Sequence, residues 1–260
     1  MTSKKFPRIS IITPSFNQGQ FLEETIKSVL SQSYENIEYI VVDGKSTDGS
    51  HEIIEKYQDQ LIWIRDRDKN QTDAINKGFN VATGTILAYL NSDDLYLPDT
   101  LNLVIKAFAK NTNSFWLTGD CIIINQQGIE INKPIRFYKR LLSLFNNRNL
   151  LAITNYISQP STFMTKKLLD KLGPLDENLE YNMDFSYWLK SYEIQKPVIL
   201  TAALSKFRVH KNSKGSNKLR LQFAEGTEVL KKQHFCKTFI NAKEQHDKII
   251  IKLYEKAFRK

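Results

Sequence analysis

The apolar run Thr85-Ile86-Leu87-Ala88-Tyr89-Leu90 stops abruptly at Asn91-Ser92-Asp93-Asp94. A buried strand that delivers two carboxylates at its carboxyl end is suited to hold a divalent cation. Mg²⁺ and Mn²⁺ take oxygen ligands, often only one or two of them carboxylates, and leave the rest to water and substrate phosphates. The same residues also suit a turn and cap before the helix that begins near Pro98.

Further clusters have a similar character. Asp43 ends an apolar run and either accepts a hydrogen bond from a ring N–H, as in uracil or guanine, or caps a turn. Thr13 and Asn17 either frame a nucleoside or, for Asn17, cap a helix. Asp68, Asn70, Gln71 and Asp73 lie before and within a helical stretch, where free N–H groups favour phosphate. Asp66, Asp68 and Asp73 oppose a phosphate there unless offset, and Arg65, Arg67 and Lys69 are the nearby bases. Asp48-Gly49 reads as turn and cap. Asp184 sits among Met, Phe, Tyr and Trp. It is either a general base with a raised pKa or a solvent-facing helix residue. His210 follows the last strand and is either structural or within reach of a metal. The dinucleotide and P-loop fingerprints are absent.

Elements of alternating type must position these residues. Strand-like runs at 9–12, 37–42, 61–64 and 85–90 alternate with helical patterns at 21–30, 50–57 and 70–82. Near-continuous apolar strands separated by helices predict a mostly parallel α/β sheet covered on both faces. In such sheets ligands bind at the carboxyl ends of the strands, which is where every polar cluster falls. Beyond Asp94 the pattern predicts a helix over 98–110, strands at 115–117 and 121–125, and a turn at 126–128 leading to 129–131. Then come a helix over 137–145, a strand over 157–164, helices over 166–172 and 182–193, and strands at 198–204 and 207–209. Two basic amphipathic helices follow from Lys218.

The bulk properties suit a soluble globular chain of 260 residues, with 41% hydrophobic and 25% charged residues. Cys121 and Cys236 lie far apart in sequence and suggest no zinc site or disulfide framework, which fits a reducing cytosol. No run reaches the ~18 apolar residues of a membrane span. Met1–Lys5 lead at once into a strand-like run, unlike a signal peptide. The net charge of +9 is uneven. Residues 1–205 hold 22 Lys/Arg against 23 Asp/Glu, and residues 206–260 hold 15 against 5.

The segments Ile11–Asn17, Val41–Ser50, Asn70–Phe79 and Leu90–Asp94 follow one another in an order and spacing that resembles the family 2 glycosyltransferases with a GT-A, Rossmann-like fold. The resemblance spans roughly residues 8–210 and implies inverting transfer from a nucleotide sugar, a UDP-sugar foremost, with Mn²⁺ or Mg²⁺ as cofactor. It implies that Thr13, Pro14, Asn17 and Asp43 hold the nucleoside, and that Asn70, Gln71 and Asp73 belong to the donor-binding helix. Asn91-Ser92-Asp93 occupies the acid-any-acid motif, with Asn91 towards the ribose. Asp93 is then the metal ligand, Asp94 a secondary one, and His210 a further ligand or phosphate contact. Gln159 and Ser161 fall in the acceptor-side segment, and Asp184 is the catalytic base. Two departures stand out: Asn91 replaces an acid, and Lys45 stands where many members have glycine.

The implied organisation is a glycosyltransferase domain over 1–210, with a nucleotide-sugar half to about 115 and an acceptor half from 116, followed by a basic helical tail over 211–260. In the tail Phe235, Phe239, Ile249, Ile250, Leu253, Tyr254 and Ala257 recur among lysines. Such a helix either lies on an anionic membrane or packs on the domain. The expected acceptor is a glycan or lipid-linked hydroxyl in bacterial surface polysaccharide synthesis. The expected location is the cytoplasm, including the inner face of the cell membrane. Nucleic acid is not an expected partner, since no recognisable module accompanies the charge. The competing readings are a nucleotidyltransferase, and a non-catalytic sugar-nucleotide-binding or scaffold protein of a polysaccharide assembly complex.

Overall fold

The structure, a computed structural model, describes residues 7–211, 213 and 218–258, with side chains of the last helix described to residue 252. Met1–Lys5 and the side chains of Leu253, Tyr254 and Ala257 lie outside the described residues.

Strands β1 (Ile9–Ser15), β2 (Ile37–Asp43), β3 (Ile62–Arg65) and β4 (Ile86–Tyr89) pair in parallel in the order β3-β2-β1-β4. Helices α1 (Gly19–Leu30), α2 (Ser50–Glu55) and α3 (Gln71–Val81) connect them. The side-chain period of two explains why these strands are apolar throughout. Ile9, Ile11, Tyr39, Val41, Ile86 and Ala88 pack on one face with α1 and α4 (Thr100–Lys110). Ile12, Ile40, Val42, Leu87 and Tyr89 pack on the other with α3. Helix α3 lies so close to β1 that a Cβ on Gly78 would sit 2.5 Å from Ile12.

The second half extends the same sheet through β7 (Thr162–Thr165), β6 (Trp116–Ile124), β8 (Val198–Arg208) and β5 (Leu95–Tyr96). Here β7 runs antiparallel to both β4 and β6, β8 is parallel to β6, and β5 is antiparallel to β8. Four of the seven pairings are therefore parallel. Helices α5 (Lys133–Phe145), α6 (Arg148–Ile153), α7 (Lys166–Leu172), α8 (Met183–Ile194), α9 (Leu219–Lys232) and α10 (Lys237–Phe258) complete the chain.

Several boundaries differ from expectation for identifiable reasons. The runs 115–117 and 121–125 form one strand, β6, with register shifts at Asp120 where the chain bulges against β8. Gly119 permits this, because a Cβ there would meet Leu204 at 2.6 Å. Likewise 198–204 and 207–209 are one strand, β8, since β6 pairs with it from Val198 to Arg208. The run 157–164 is a strand only from Thr162. Pro160 lacks the N–H a ladder needs, and Gln159–Ser161 form a 3₁₀ turn instead. The short β5 and α6 are elements that sequence periodicity does not predict, and α5 starts four residues earlier than expected.

The basic C-terminal helices pack on the domain through their middle part, while Leu221 and Ile249 are exposed. Val229 and Leu230 are buried, and Phe235 and Ile240 pack against the core. The Glu225 carboxylate accepts the backbone N–H groups of Glu180, Tyr181 and Asn182 at 2.7–2.8 Å, at the start of α8. These donors lie just before the helix, and the carboxylate fixes the chain's entry into it near the positive end of its dipole.

Candidate functional site

The carboxyl ends of β1, β2 and β4 converge, and each sequence-predicted residue there has a defined environment. Thr13 is buried on β1 and its hydroxyl accepts the Tyr39 O–H at 3.1 Å. Pro14 is the next residue along β1, paired with Val42. Asn17 adopts a left-handed backbone (φ 52°). Its N–H donates to Ser46 Oγ and its Oδ1 accepts the Thr47 N–H, both at 2.9 Å, tying the loop after β1 to the loop after β2. Asp43 is fully buried and accepts the Ser46 N–H, so it serves the turn itself. Asp48 accepts the Gly19 N–H at 2.8 Å. Lys45 is exposed with φ 65°, a conformation that favours glycine and accounts for glycine being expected there. Phe16 is 62% exposed, and its ring lies against Gly44.

Asn70 caps α3 by accepting the Asp73 N–H at 3.0 Å and donates to the Glu177 carbonyl. Asp73 turns back to accept the Lys69 N–H. The base that offsets the acids here is Lys77, from within α3. Its ammonium lies 2.9 Å from Asp66 and Asp68 and 3.4 Å from Asp73. Two of the bases nominated by sequence proximity are engaged elsewhere: Lys69 pairs with Glu177 and Arg65 lies over Trp63.

Next to this cluster an amide chain crosses the site. Gln71 Nε2 donates to Asn91 Oδ1 at 2.7 Å, and Asn91 Nδ2 donates to Asp94 at 3.2 Å and to Gln159 Oε1 at 3.4 Å. Gln159 in turn donates to the Tyr89 carbonyl at 2.6 Å. The position of Asn91 explains its departure from an acid. An aspartate there would remove a donor from the fully buried Asp94 and add a third negative charge.

The two acids after β4 have separate environments. Asp94 is fully buried and accepts the Arg208 backbone N–H at 2.9 Å. Burial and the adjacent Asp93 push its pKa well up. With its oxygens committed inside the protein, Asp94 holds the loop. Ser92 beside it is also buried. Asp93 Oδ2 lies 3.0 Å from His210 Nε2, so the histidine that sequence left open meets the expected metal ligand.

Two acceptor-side residues differ. Gln159 belongs to the amide chain, whereas Ser161 is fully buried, donating to the Asp120 carbonyl and bonded to Ser205 Oγ. Ser161 therefore stands behind the surface and cannot touch an acceptor. Asp184 is half-buried in the first turn of α8 and accepts the Phe185 N–H at 2.7 Å. Burial raises its pKa. The Tyr89 hydroxyl is buried without a hydrogen-bond partner and feels the fields of both Asp184 and Asp94. The Thr72 hydroxyl donates to Met183 Sδ, joining the start of α3 to the start of α8.

Sequence reasoning missed Arg208, Lys139 and Arg136. Arg208 is 2% exposed and grips the loop after β4. Its Nε donates to the Asp93 carbonyl at 2.9 Å, one terminal nitrogen to the Gln126 carbonyl and the other to Glu24, and it stacks over Phe21. An arginine at the end of a β-rich run, two residues before His210, was the available signal. Lys139 is drawn in from α5, donating to the Ile157 carbonyl. Burial lowers its pKa, while Cys121, Asp184 and Asp120 oppose that shift. Arg136, one turn earlier, binds Asp120 at 2.7 Å and Glu130 at 2.9 Å.

The family model described as glycosyl transferase family 2 matches residues 10–173. The chain belongs to this family. Among family 2 relatives, TuaG of Bacillus subtilis, named provisionally for teichuronic acid biosynthesis, is 30% identical over 84% of this chain and 85% of its own. An uncharacterized glycosyltransferase of Rickettsia typhi is 28% identical over 78% of this chain. The match spans only 64% of that relative's length. Two solved structures share the fold. Staphylococcus aureus TarS, residues 1–349 with UDP-GlcNAc, superposes with a TM-score of 0.67 at 19% identity, over 85% of this chain and 65% of that one. The mannosyltransferase PcManGT of Pyrobaculum calidifontis, with GDP-Man and Mn²⁺, gives 0.69 at 18%, over 94% and 70%. The fold is the GT-A fold expected from the sequence.

The donor set fits a hard divalent cation whose coordination is completed from elsewhere. Among the described residues no group of three His, Cys, Asp or Glu converges as a metal cluster. One carboxylate and one imidazole meet, which suits an ion that keeps water and takes substrate phosphates.

Arg208→Met should lower the unfolding free energy by about 3 kcal/mol, because it removes the bonds of a buried guanidinium to the Asp93 and Gln126 carbonyls and its packing over Phe21. Urea denaturation measures this, and an unchanged midpoint would show that the grip is dispensable.

Proposed function

We propose that this protein transfers a sugar, with inversion, from a nucleoside-diphosphate sugar to a hydroxyl of a glycan or lipid-linked acceptor in bacterial surface polysaccharide synthesis. A UDP-sugar is the favoured donor. The observation that carries the reading is the meeting of Asp93 and His210 beside the Gln71-Asn91-Gln159 chain, with half-buried Asp184 beyond Tyr89. The solved structures with UDP-GlcNAc and with GDP-Man and Mn²⁺ support it.

In this reading residues 1–115 bind the donor and 116–210 the acceptor, with 211–260 as the tail. Thr13, Pro14, Asn17 and Asp43 shape the nucleoside end, and Phe16 offers its exposed ring to the base. Asn70, Gln71, Asp73, Asn91 and Ser92 line the path to the sugar. Asp93 and His210 would hold Mn²⁺ or Mg²⁺, whose charge would stabilise the departing diphosphate. Asp184 takes the proton from the acceptor hydroxyl as it attacks the anomeric carbon. The bond to the diphosphate breaks in the same step, so no enzyme nucleophile is needed.

The test is nucleoside diphosphate release from a panel of UDP-, GDP- and dTDP-sugars, with and without Mn²⁺, in the presence of a lipid-extract acceptor. Metal-stimulated release from one donor is expected. No release from any donor would favour a non-catalytic binding role. Phe16→Ala should raise the donor KM about tenfold, the weight of one base–aromatic stack, with little change in kcat. An unchanged KM would remove Phe16 from the site.

A further inference from the structure

Helix α5 differs from the other long helices of the described chain in burying none of its residues. Phe137 is 69% exposed, Leu144 60%, Phe145 65% and Leu141 46%, and all lie on one side with the half-exposed Tyr138. Residues 137, 141 and 144 are spaced so that they share one face. The opposite side works for the protein: Arg136 and Lys139 reach inward to Asp120 and the Ile157 carbonyl. Leu142 packs against the core.

Charge separates the possible occupants. Lys133 and Arg140 are exposed at the margin of the apolar side. No Asp or Glu occurs between Glu130 and Asp170, and Glu130 is held by Arg136 at 2.9 Å and lies 3.9 Å from the 74%-exposed Lys133. Beside α5, Ile129 is 63% exposed at the tip of the turn after β6. A partner protein surface would need an apolar groove ringed by acids. A lipid headgroup layer supplies both an apolar interior and negative charge over a flat area. A basic helix with a continuous apolar side is the form that lies in that boundary.

We propose that the apolar side of α5, with Lys133 and Arg140 at its margin, docks the protein on an anionic lipid surface. Phe137, Leu141, Leu144 and Phe145 enter the acyl boundary, and the two bases meet headgroup phosphates. This assigns the membrane contact to α5 in place of the C-terminal tail, whose Phe235 and Ile240 pack against the core. Lys139 of the same helix donates to the Ile157 carbonyl, two residues before Gln159 of the amide chain, so docking would set the site beside a lipid-anchored acceptor. Among the described residues no helix is long and apolar enough to cross a membrane. The contact is peripheral.

The experiment is co-sedimentation of the full chain with vesicles of phosphatidylglycerol mixed with phosphatidylcholine, and with vesicles of phosphatidylcholine alone. Binding is expected to the mixed vesicles, weakened by salt. The exposed double variant Phe137→Ser/Leu144→Ser, and separately Lys133→Glu/Arg140→Glu, should each reduce partitioning by about tenfold or more. Thermal melting should show both variants folded. Lys237→Glu/Lys248→Glu in the tail should leave partitioning unchanged. The proposal is overturned if the tail variant loses binding while the α5 variants keep it. It is also overturned if the wild-type chain ignores anionic vesicles, or if it sediments as a dimer that Phe137→Ser/Leu144→Ser converts to a monomer without any vesicle effect. None of these outcomes depends on sugar transfer.

Discussion

Asp93→Ala is expected to reduce glycosyl transfer by at least about a thousandfold, equivalent to about 4 kcal/mol of transition-state stabilisation. The size of the loss follows from the sparse donor set. Asp93 is the one carboxylate at the site that is both partly exposed and turned towards His210, while Asp94 is committed to Arg208 and Asn91. In the proposed site the described residues offer one carboxylate and one imidazole, and removal of the carboxylate would leave an imidazole to hold a divalent ion. His210→Asn should cost less, because the carboxylate remains. Calorimetric titration with UDP, with and without Mn²⁺, gives an independent reading. Mn²⁺ should tighten UDP binding to the native chain and leave binding to Asp93→Ala unchanged. Equal metal enhancement in the two proteins would remove Asp93 as the ligand. Folding should survive, since the Asp93 backbone carbonyl still accepts from Arg208.

Asp184→Asn is expected to lower kcat about a hundred- to ten-thousandfold, the usual worth of a general base, while the donor KM stays nearly constant. Asparagine retains an oxygen for the Phe185 N–H, so the start of α8 is preserved. Burial raises the Asp184 pKa. Its base form is therefore lost as pH falls through a value above the ordinary ~3.9 of aspartate, and kcat should rise with pH across that range. The positive charge of Lys139 works in the opposite sense, pulling the Asp184 pKa down. Lys139→Met should thus move the acidic limb of the profile to higher pH. A Lys139 that served packing alone would leave the limb in place. Full transfer by Asp184→Asn would eliminate it as the base.

Much of the fold was legible because its signals are local. Apolar strands end at or a few residues before Asn17, Asp43 and Asp94, and helices begin at capping residues such as Asn70. The alternation through Leu90 needs only period-two and helical patterning to be read, and four motifs in register indicated the family. The second half was read less well. Strand β7 enters the sheet between β4 and β6 against the direction of both, and β5 pairs with a strand more than a hundred residues later. Such pairings leave no periodic trace. Strand β6 continues through the bulge at Asp120 and joins two runs that composition presents as separate, while the turn at Pro160 shortens a run that composition presents as one strand.

The sequence by itself determined the alternating α/β order, the polar clusters at the strand ends, the family resemblance and the concentration of basic charge after residue 205. Those properties reside in neighbouring residues, whose spacing the chain cannot alter. Only the tertiary structure decided which side chains meet. It paired Asp93 with His210, over a hundred residues apart, and drew Lys77 rather than a nearer base to the three acids. It withdrew Ser161 and Asp94 from the surface, and seated the basic tail on α8 while leaving the apolar side of α5 uncovered. The reason is physical: burial and long-range contact depend on how elements stack, and an amphipathic pattern is the same whether its apolar side packs inward or faces outward.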